Sequence, residues 1–425
     1  MTAGRRHPVR KWPGKGLGTT SPLCNSETVV PPVVRDVRRT RAEVPLFTRP
    51  FVMLSLAELG YFTADGFAMY ALPLYVTGPV GSGAAGAGLA FGAFALTALV
   101  LRPVAGRLSD TLGRFPLMLF GATVSCMSLA LTANMTTLTG VVIVRLLFGV
   151  GEAAFFVAAF AALADLAPPA RLGEALSYNS LSLYLGIAIG PVVGGVLADT
   201  VGLRAAWYGA AAFALCAVGC ALGVGETLEP TEGAKTPGRL IHWPAVPIGL
   251  GFLASIVAMA GFLTFATLRA GEVDLGNASL PLFAYGITVV ACRLAFAKVP
   301  DRVASLPLGA AALTTMTAGL SIASLWRTPA GLLLGTVVLA IGVAFSTPAF
   351  FSAMFATATP RRRGAASATA SLLLDVGLGI GPLALGVVAG SFGISWAFAT
   401  AASVALVGAA WVVRLGRSRT SAHAD

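Results

Sequence analysis

From Phe51 to Val413 the chain is a succession of long apolar runs separated by short polar breaks. A helix needs roughly 20 mostly apolar residues to cross a hydrocarbon core of about 30 Å, and the runs meet that length. The pattern predicts twelve spans, at 51–77, 84–102, 115–133, 138–163, 174–198, 204–224, 244–268, 278–298, 306–325, 330–356, 366–390 and 395–413. Composition agrees: 56% of residues are hydrophobic, 11% are charged and the mean hydropathy is +0.82, leaving too few polar side chains to coat a soluble globule. The expected fold class is an all-α polytopic membrane protein with 12 transmembrane helices.

A formal net charge of +11 raises nucleic acid as a partner, and the placement of the cations decides against it. With the N-terminus inside, 25 of the 29 lysines and arginines fall in the tails, in the even-numbered loops or, as Arg102, Arg293 and Lys298, on the part of a span that leads into one. Arg204, Arg269 and Arg327 fall in the opposite loops, and Arg145 lies within a span. This is the positive-inside asymmetry. It predicts a multi-pass protein with both termini cytoplasmic, in contact with a lipid bilayer and with no nucleic acid. Arginine at 25 against lysine at 4, with abundant alanine and glycine, points to a bacterial inner (plasma) membrane. Residues 1–49 lack apolar periodicity and read as a disordered basic cytoplasmic tail, with the first span acting as an uncleaved signal. Cys126, Cys216, Cys220 and Cys292 lie inside apolar runs as small core residues, with neither a disulfide framework nor a metal site. His7, His242 and His423 all lie outside the runs, so proton chemistry within the membrane falls to carboxylates.

The chain repeats itself at an offset of 191 residues. Arg102, Asp110, Pro116 and Leu117 correspond to Arg293, Asp301, Pro307 and Leu308; Pro169, Arg171 and Gly173 to Pro360, Arg362 and Gly364; Gly186, Gly190, Pro191 and Gly202 to Gly377, Gly381, Pro382 and Gly393. The repeat predicts two pseudo-symmetric six-helix bundles, 50–224 and 244–413, with a cytoplasmic linker at 225–243 and a cytoplasmic tail at 414–425. Six spans per half make the repeat parallel, the arrangement that lets one bundle rock against the other around a site near the midplane.

After the second run comes Gly106-Arg-Leu-Ser-Asp110-Thr-Leu-Gly113-Arg114, which resembles the signature loop between helices 2 and 3 of the major facilitator superfamily. Gly106 and Gly113 suit close backbone approach and a tight turn, and Asp110 suits a helix N-terminus. In that family the arginine pairs with an acid at the end of helix 4, which the resemblance assigns to Asp165. Arg145-Leu-Leu-Phe-Gly149-Val-Gly151-Glu152 resembles the family's helix 4 motif, with Phe148 where glutamine is common. Arg145 and Glu152 are seven residues apart, nearly on one helical face, and are expected to look into one cavity, either functionally or as a structural ion pair. Gly186-Ile-Ala-Ile-Gly190-Pro191-Val-Val-Gly194-Gly195 resembles the helix 5 motif of the family's proton-coupled antiporters. On physics alone its glycines form a stripe for close helix packing, and Pro191 bends the helix. The resemblance implies the major facilitator fold.

The first span holds Glu58 and Asp65, and the eleventh holds Asp375. In related drug antiporters acids of helix 1 bind substrate or protons. Glu58 is also open to a place at the cytoplasmic headgroups. Asp65 and Glu152 are expected to exchange protons with substrate while Arg145 tunes them. Tyr61, Phe67, Tyr70, Phe155, Phe156, Tyr178, Tyr184, Phe345 and Phe351 are candidates for the substrate cavity. With no glutamine, and Asn179 as the mid-membrane asparagine, a sugar is disfavoured. The expected function is proton-coupled efflux of an amphipathic, apolar or cationic small molecule, drawing on the proton gradient without a cofactor, by a monomer. Proton-symport uptake of a small metabolite is the alternative. An enzyme is disfavoured because no span holds a histidine, a zinc-spaced pair or a nucleophile elbow, and a receptor because only the tail offers a soluble region.

Overall fold

A computed structural model describes residues 45–168, 171–228, 241–359 and 363–421. The expected tail over 1–44, most of the linker and residues 422–425 lie outside the described residues. Six helices form the first half: α1 (Arg49–Thr77), α2 (Gly83–Leu112), α3 (Arg114–Thr132), α4 (Leu138–Leu166), α5 (Leu172–Thr200) and α6 (Leu203–Leu222). The second half holds α7 (Val246–Glu272), α8 (Leu280–Ala295), the one-turn α9 (Val299–Arg302), α10 (Ser305–Leu325), α11 (Pro329–Phe355), α12 (Arg363–Phe392) and α13 (Ile394–Ser421). The chain is a helical membrane protein of the predicted class.

The 191-residue repeat reappears in the local chemistry that starts and stops the helices. Thr137 caps α4 by accepting a hydrogen bond from Gly140 N at 3.2 Å, and Thr328 caps α11 by accepting one from Gly331 N at 3.1 Å. Gly202 and Gly393 make the sharp turns after α5 and α12 at φ of 115° and 93°, where a side chain would be strained. Pro191 and Pro382 sit inside α5 and α12. Packing repeats as well. In the first half α1 lies on α5 and α6, α2 on α4, and α3 on α4 and α6. In the second, α7 lies on α12 and α13, α8 on α11, and α10 on α11 and α13.

Two expectations are corrected. The C-terminal segment is helical through Ser421, well past 413. The eighth helix stops at Ala295 and has only 16 residues, short of the predicted 278–298. The predicted twelve helices are present, and among the described residues ten of them are long and apolar enough to cross a bilayer by themselves, α1 and α8 being the other two. α1 carries Glu58, Asp65, Tyr61, Thr63 and Tyr70 in its middle, yet it buries 17 of its 29 residues. Its place is set by protein contacts rather than by lipid.

The glycine stripe explains how α1 gets so close to α5. A Cβ at Gly186 would fall on Phe62 C and Thr63 N, and one at Gly190 on Phe67 N and Gly66 C; Gly66 in turn faces Gly186 O and Pro191. The halves themselves meet along two seams, α2 on α12 and α5 on α8, each the image of the other under the repeat. Gly88 and Gly92 of α2 meet Pro382, Gly386 and Gly379 of α12, and Gly286 of α8 meets Ala188 of α5. These approaches lie toward the end of the molecule remote from the α2–α3 loop. Gly190→Ala is expected to cost about 1–3 kcal/mol by overpacking. Gly219→Ala, where a Cβ meets nothing within 4 Å, should stay within about 1 kcal/mol of wild type; thermal melting of the purified variants compares them.

Candidate functional site

Where the α2–α12 seam ends on its loop side, three charges meet. Arg102 of α2 donates from Nη2 to Glu152 Oε1 of α4 at 2.9 Å and to Oε2 at 3.3 Å. Its Nε lies 2.6 Å from Asp375 Oδ2 of α12. The side chains of Arg102, Glu152 and Asp375 are 11%, 12% and 2% exposed. The contact to Asp375 is a close ion pair poorly aligned for a hydrogen bond, and Asp375 Oδ1 has no partner. The Arg102 guanidinium also lies over the Phe156 ring, 4.5 Å from its centroid. One cation thus ties an acid of the first half to an acid of the second.

This arrangement corrects the expected Arg145–Glu152 partnership. Arg145 is buried on the faces of Phe148 and Phe94, 4.5 and 4.9 Å from their centroids, with Nε and Nη1 lacking hydrogen-bond partners. Among the described residues it makes no ion pair within 4 Å, and the acid whose charge reaches it most strongly is Asp65. Phe148, standing where the family often has glutamine, is part of its platform. Glu58 is enclosed by protein: it is 3% exposed and accepts from Asn179 Nδ2 at 3.0 Å, with Oε2 unpartnered.

Most of the nominated aromatics are structural. Tyr61 stacks on Phe155 at 4.1 Å between ring centroids and shares a 2.9 Å hydrogen bond with Ser125 Oγ, inside the first half. Phe67 packs against Gly194, Gly209 and Phe213, and Tyr70 against Gly194 and Gly195, where α1 meets α5 and α6. Phe345 lies tilted near Phe296, and Phe351 edge-on to Phe252. Tyr178 is exposed beside Phe47. Tyr184 alone among them reaches a charge of the other half: Arg293 of α8 lies over its ring at 4.6 Å. An apolar groove of about 510 Å³ between α7 and α13, lined by Leu250, Val257, Val404 and Trp411, holds none of these charges.

The α2–α3 loop forms a second polar cluster. Arg114 donates to Asp110 Oδ1 at 2.6 Å, to Ser109 Oγ at 3.1 Å and to Asp165 Oδ2 at 3.2 Å. Two details of the expectation change. Asp110 is in the last turn of α2, and the carboxylate at the N-terminus of α3 is Glu226, from beyond α6. Glu226 accepts from Arg114 N at 2.9 Å and Phe115 N at 3.2 Å, and also from the Thr227 and Leu228 amides. Gly113 turns at φ 106° beneath this carboxylate, whereas Gly106 faces open space and makes no close approach.

The Major Facilitator Superfamily model matches residues 54–354. An MFS-type transporter of Burkholderia pseudomallei (strain 1106a) is 30% identical over 368 residues, spanning 84% of this chain and 89% of the relative. One from Pseudomonas aeruginosa (strain LESB58) is 30% identical over 369 residues, spanning 84% and 91%. Among solved structures, a nucleoside transporter superposes with a TM-score of 0.73 at 14% identity, covering 86% of this chain and 99% of that one. The human organic anion transporter gives 0.67 at 18%, covering 86% and 99%. At those identities the likeness is one of fold.

Burial alone would raise the Glu226 carboxyl, but the four backbone amides outweigh it and hold it below the ordinary carboxylate range. Its cap is therefore complete above that range and is lost as pH falls through the depressed folded-state value. Amide exchange at Arg114 and Phe115, corrected for intrinsic rate, should lose protection in acid, and Glu226→Gln should remove that pH dependence.

Proposed function

Since the chain belongs to the major facilitator superfamily and is a secondary transporter, we propose that it exports an amphipathic, largely apolar small molecule in exchange for protons by alternating access. The observation that carries the reading is the Arg102 guanidinium shared by Glu152 and Asp375 across the two halves. Two carboxylates and one guanidinium leave one net negative charge in a poorly hydrated place. Such a charge is costly unless it is matched. A proton on Asp375, whose Oδ1 is free, makes the set neutral and weakens its hold on Arg102.

Coupling follows from where the tie sits. Arg102 lies ten residues beyond Gly92, about 15 Å along α2, so it closes the loop-side end of the α2–α12 seam. With the termini cytoplasmic in a bacterial inner membrane, as the cation distribution suggests, the seam seals the outer side and this conformation faces inward. The unprotonated acids then favour the inward-facing state. Solute bound from inside carries the halves into the outward-facing state, where Asp375 takes a proton from outside, and that proton is released inside when the halves return and the tie re-forms. Asp65 and Glu58 supply further acids on α1, with Arg145 acting on Asp65. The helix 5 resemblance supports antiport, and Glu152 and Asp375 are already occupied by Arg102, which disfavours the cationic end of the expected substrate range. Protons and the solute are the partners; a cofactor and a second protomer have no part in the scheme.

Purified protein in proteoliposomes under an imposed pH gradient, with a panel of lipophilic fluorescent probes, tests this. Wild type should move a probe against the direction of proton flow. Asp375→Asn and Glu152→Gln should lose gradient-driven transport by about tenfold or more, equivalent to ~1.4 kcal/mol, while keeping probe exchange without a gradient. Wild-type coupling in both variants refutes the assignment, and probe movement with the proton flow refutes export.

A further inference from the structure

The 191-residue repeat pairs every member of the charged tie with a partner in the other seam, and the partners are chemically different. Arg102 corresponds to Arg293, but Asp375 corresponds to Tyr184 and Glu152 to Val343. The α5–α8 seam therefore holds the same cation at the same place with both acids removed. Arg293 is half-buried and rests on the Tyr184 ring, with a long 3.5 Å contact from Nη2 to Tyr184 OH. Among the described residues no carboxylate lies within 4 Å of it, and its Nε has no hydrogen-bond partner.

A second unsatisfied donor stands nearby. Tyr285, two turns earlier on α8, is completely buried, its hydroxyl has no partner, and it lies within electrostatic reach of both Arg293 and Tyr184. Arginine side chains on a helix lean toward its N-terminus, which is the Tyr285 side. A buried hydroxyl and a buried guanidinium edge left unpaired each carry a desolvation cost that a bound acceptor removes. A cation with no carboxylate within 4 Å among the described residues, resting on an aromatic face and within electrostatic reach of an unpartnered hydroxyl, is short of one thing: an oxyanion. Carboxylates match the guanidinium fork with two parallel hydrogen bonds.

We propose that Arg293, with Tyr184 and Tyr285, is an anion-recognising subsite on the transport path, and that the carried solute joins a carboxylate or comparable oxyanion to an apolar body. The proposal rests on the reading of the space between the halves as that path, and is independent of transport direction and of proton coupling. Glu152 and Asp375 are spent on Arg102, so the chain's own anions leave this cation to the solute.

Equilibrium binding to the purified full chain in non-ionic detergent tests it, with 1-naphthylacetate, its neutral amide and 1-naphthylmethylammonium as matched probes, and decanoate and benzoate as further carboxylates. Tryptophan quenching and thermal shift give the readout. Wild type should bind at least one carboxylate on the order of 10- to 100-fold more tightly than the amide and the ammonium probe, the size expected of a hydrogen bond to a charged group. Arg293→Gln should lose that preference, Arg293→Lys should keep part of it, and Tyr285→Phe, which removes only the hydroxyl, should weaken carboxylate binding several-fold with an unchanged melting temperature. Phosphatidylglycerol in mixed micelles is the remaining arm, because a lipid phosphate shares the chemistry. An Arg293-dependent response to the lipid with none to the carboxylates overturns the assignment to a solute. So does equal binding of the three matched probes, binding of no carboxylate, or an undiminished preference in both Arg293→Gln and Tyr285→Phe. Because no gradient is applied, failure of proton-coupled export leaves this result intact.

Discussion

A guanidinium inside a bilayer costs several kilocalories per mole unless acceptors surround it, and once they do, whatever carries those acceptors is held to it. Arg102 meets that constraint with one acid from its own half and one from the other. Its position then constrains the rest: α2 must continue past Pro103 as helix, α4 must present Glu152, and α12 must approach α2 closely enough for Asp375 to reach. The glycines on the α2–α12 seam provide that approach, since Gly88 and Gly92 leave room for the backbone of Gly379 and Gly386. Packing and electrostatics thus depend on one another at this seam.

Much of the fold was legible because the repeat is written in residues with distinct backbone duties. Thr137 and Thr328 cap, Gly202 and Gly393 turn, Pro191 and Pro382 bend, and each pair holds the same offset. The polar sites were less legible. Glu152 and Asp375 stand out as acids inside apolar runs, but Arg102 sits where a run gives way to the loop motif and counts as a loop cation until α2 is seen to extend to Leu112. Seven-residue spacing puts Arg145 and Glu152 on one face but about 10 Å apart along the axis, beyond ion-pair reach. Same-face geometry on one helix could not name the partner, which came from another helix. Aromatic residues misled for a related reason. The apolar and polar residues of α1 are spread around the helix with no preferred face, so nothing in its sequence says that Phe67 and Tyr70 face α5 and α6 rather than the space between the halves.

The repeat is most informative where it fails. Both seams keep the arginine, but one supplies acids and the other supplies Tyr184. One seam is closed by charges of the chain alone, and the other leaves a cation uncommitted, so the two seams of a symmetric fold are fitted for different work.

The central claim is that the Arg102–Asp375 tie holds the outer seam shut and that a proton releases it. Spin labels at Ser82, before α2, and Ser391, at the end of α12, read the opening of that seam directly by pulsed electron–electron distance measurement in nanodiscs. The account predicts a short separation at high pH, a growing long-distance population as pH falls, and a long-distance population at every pH in Asp375→Asn. A distance distribution that responds neither to pH nor to loss of the Asp375 charge would contradict it.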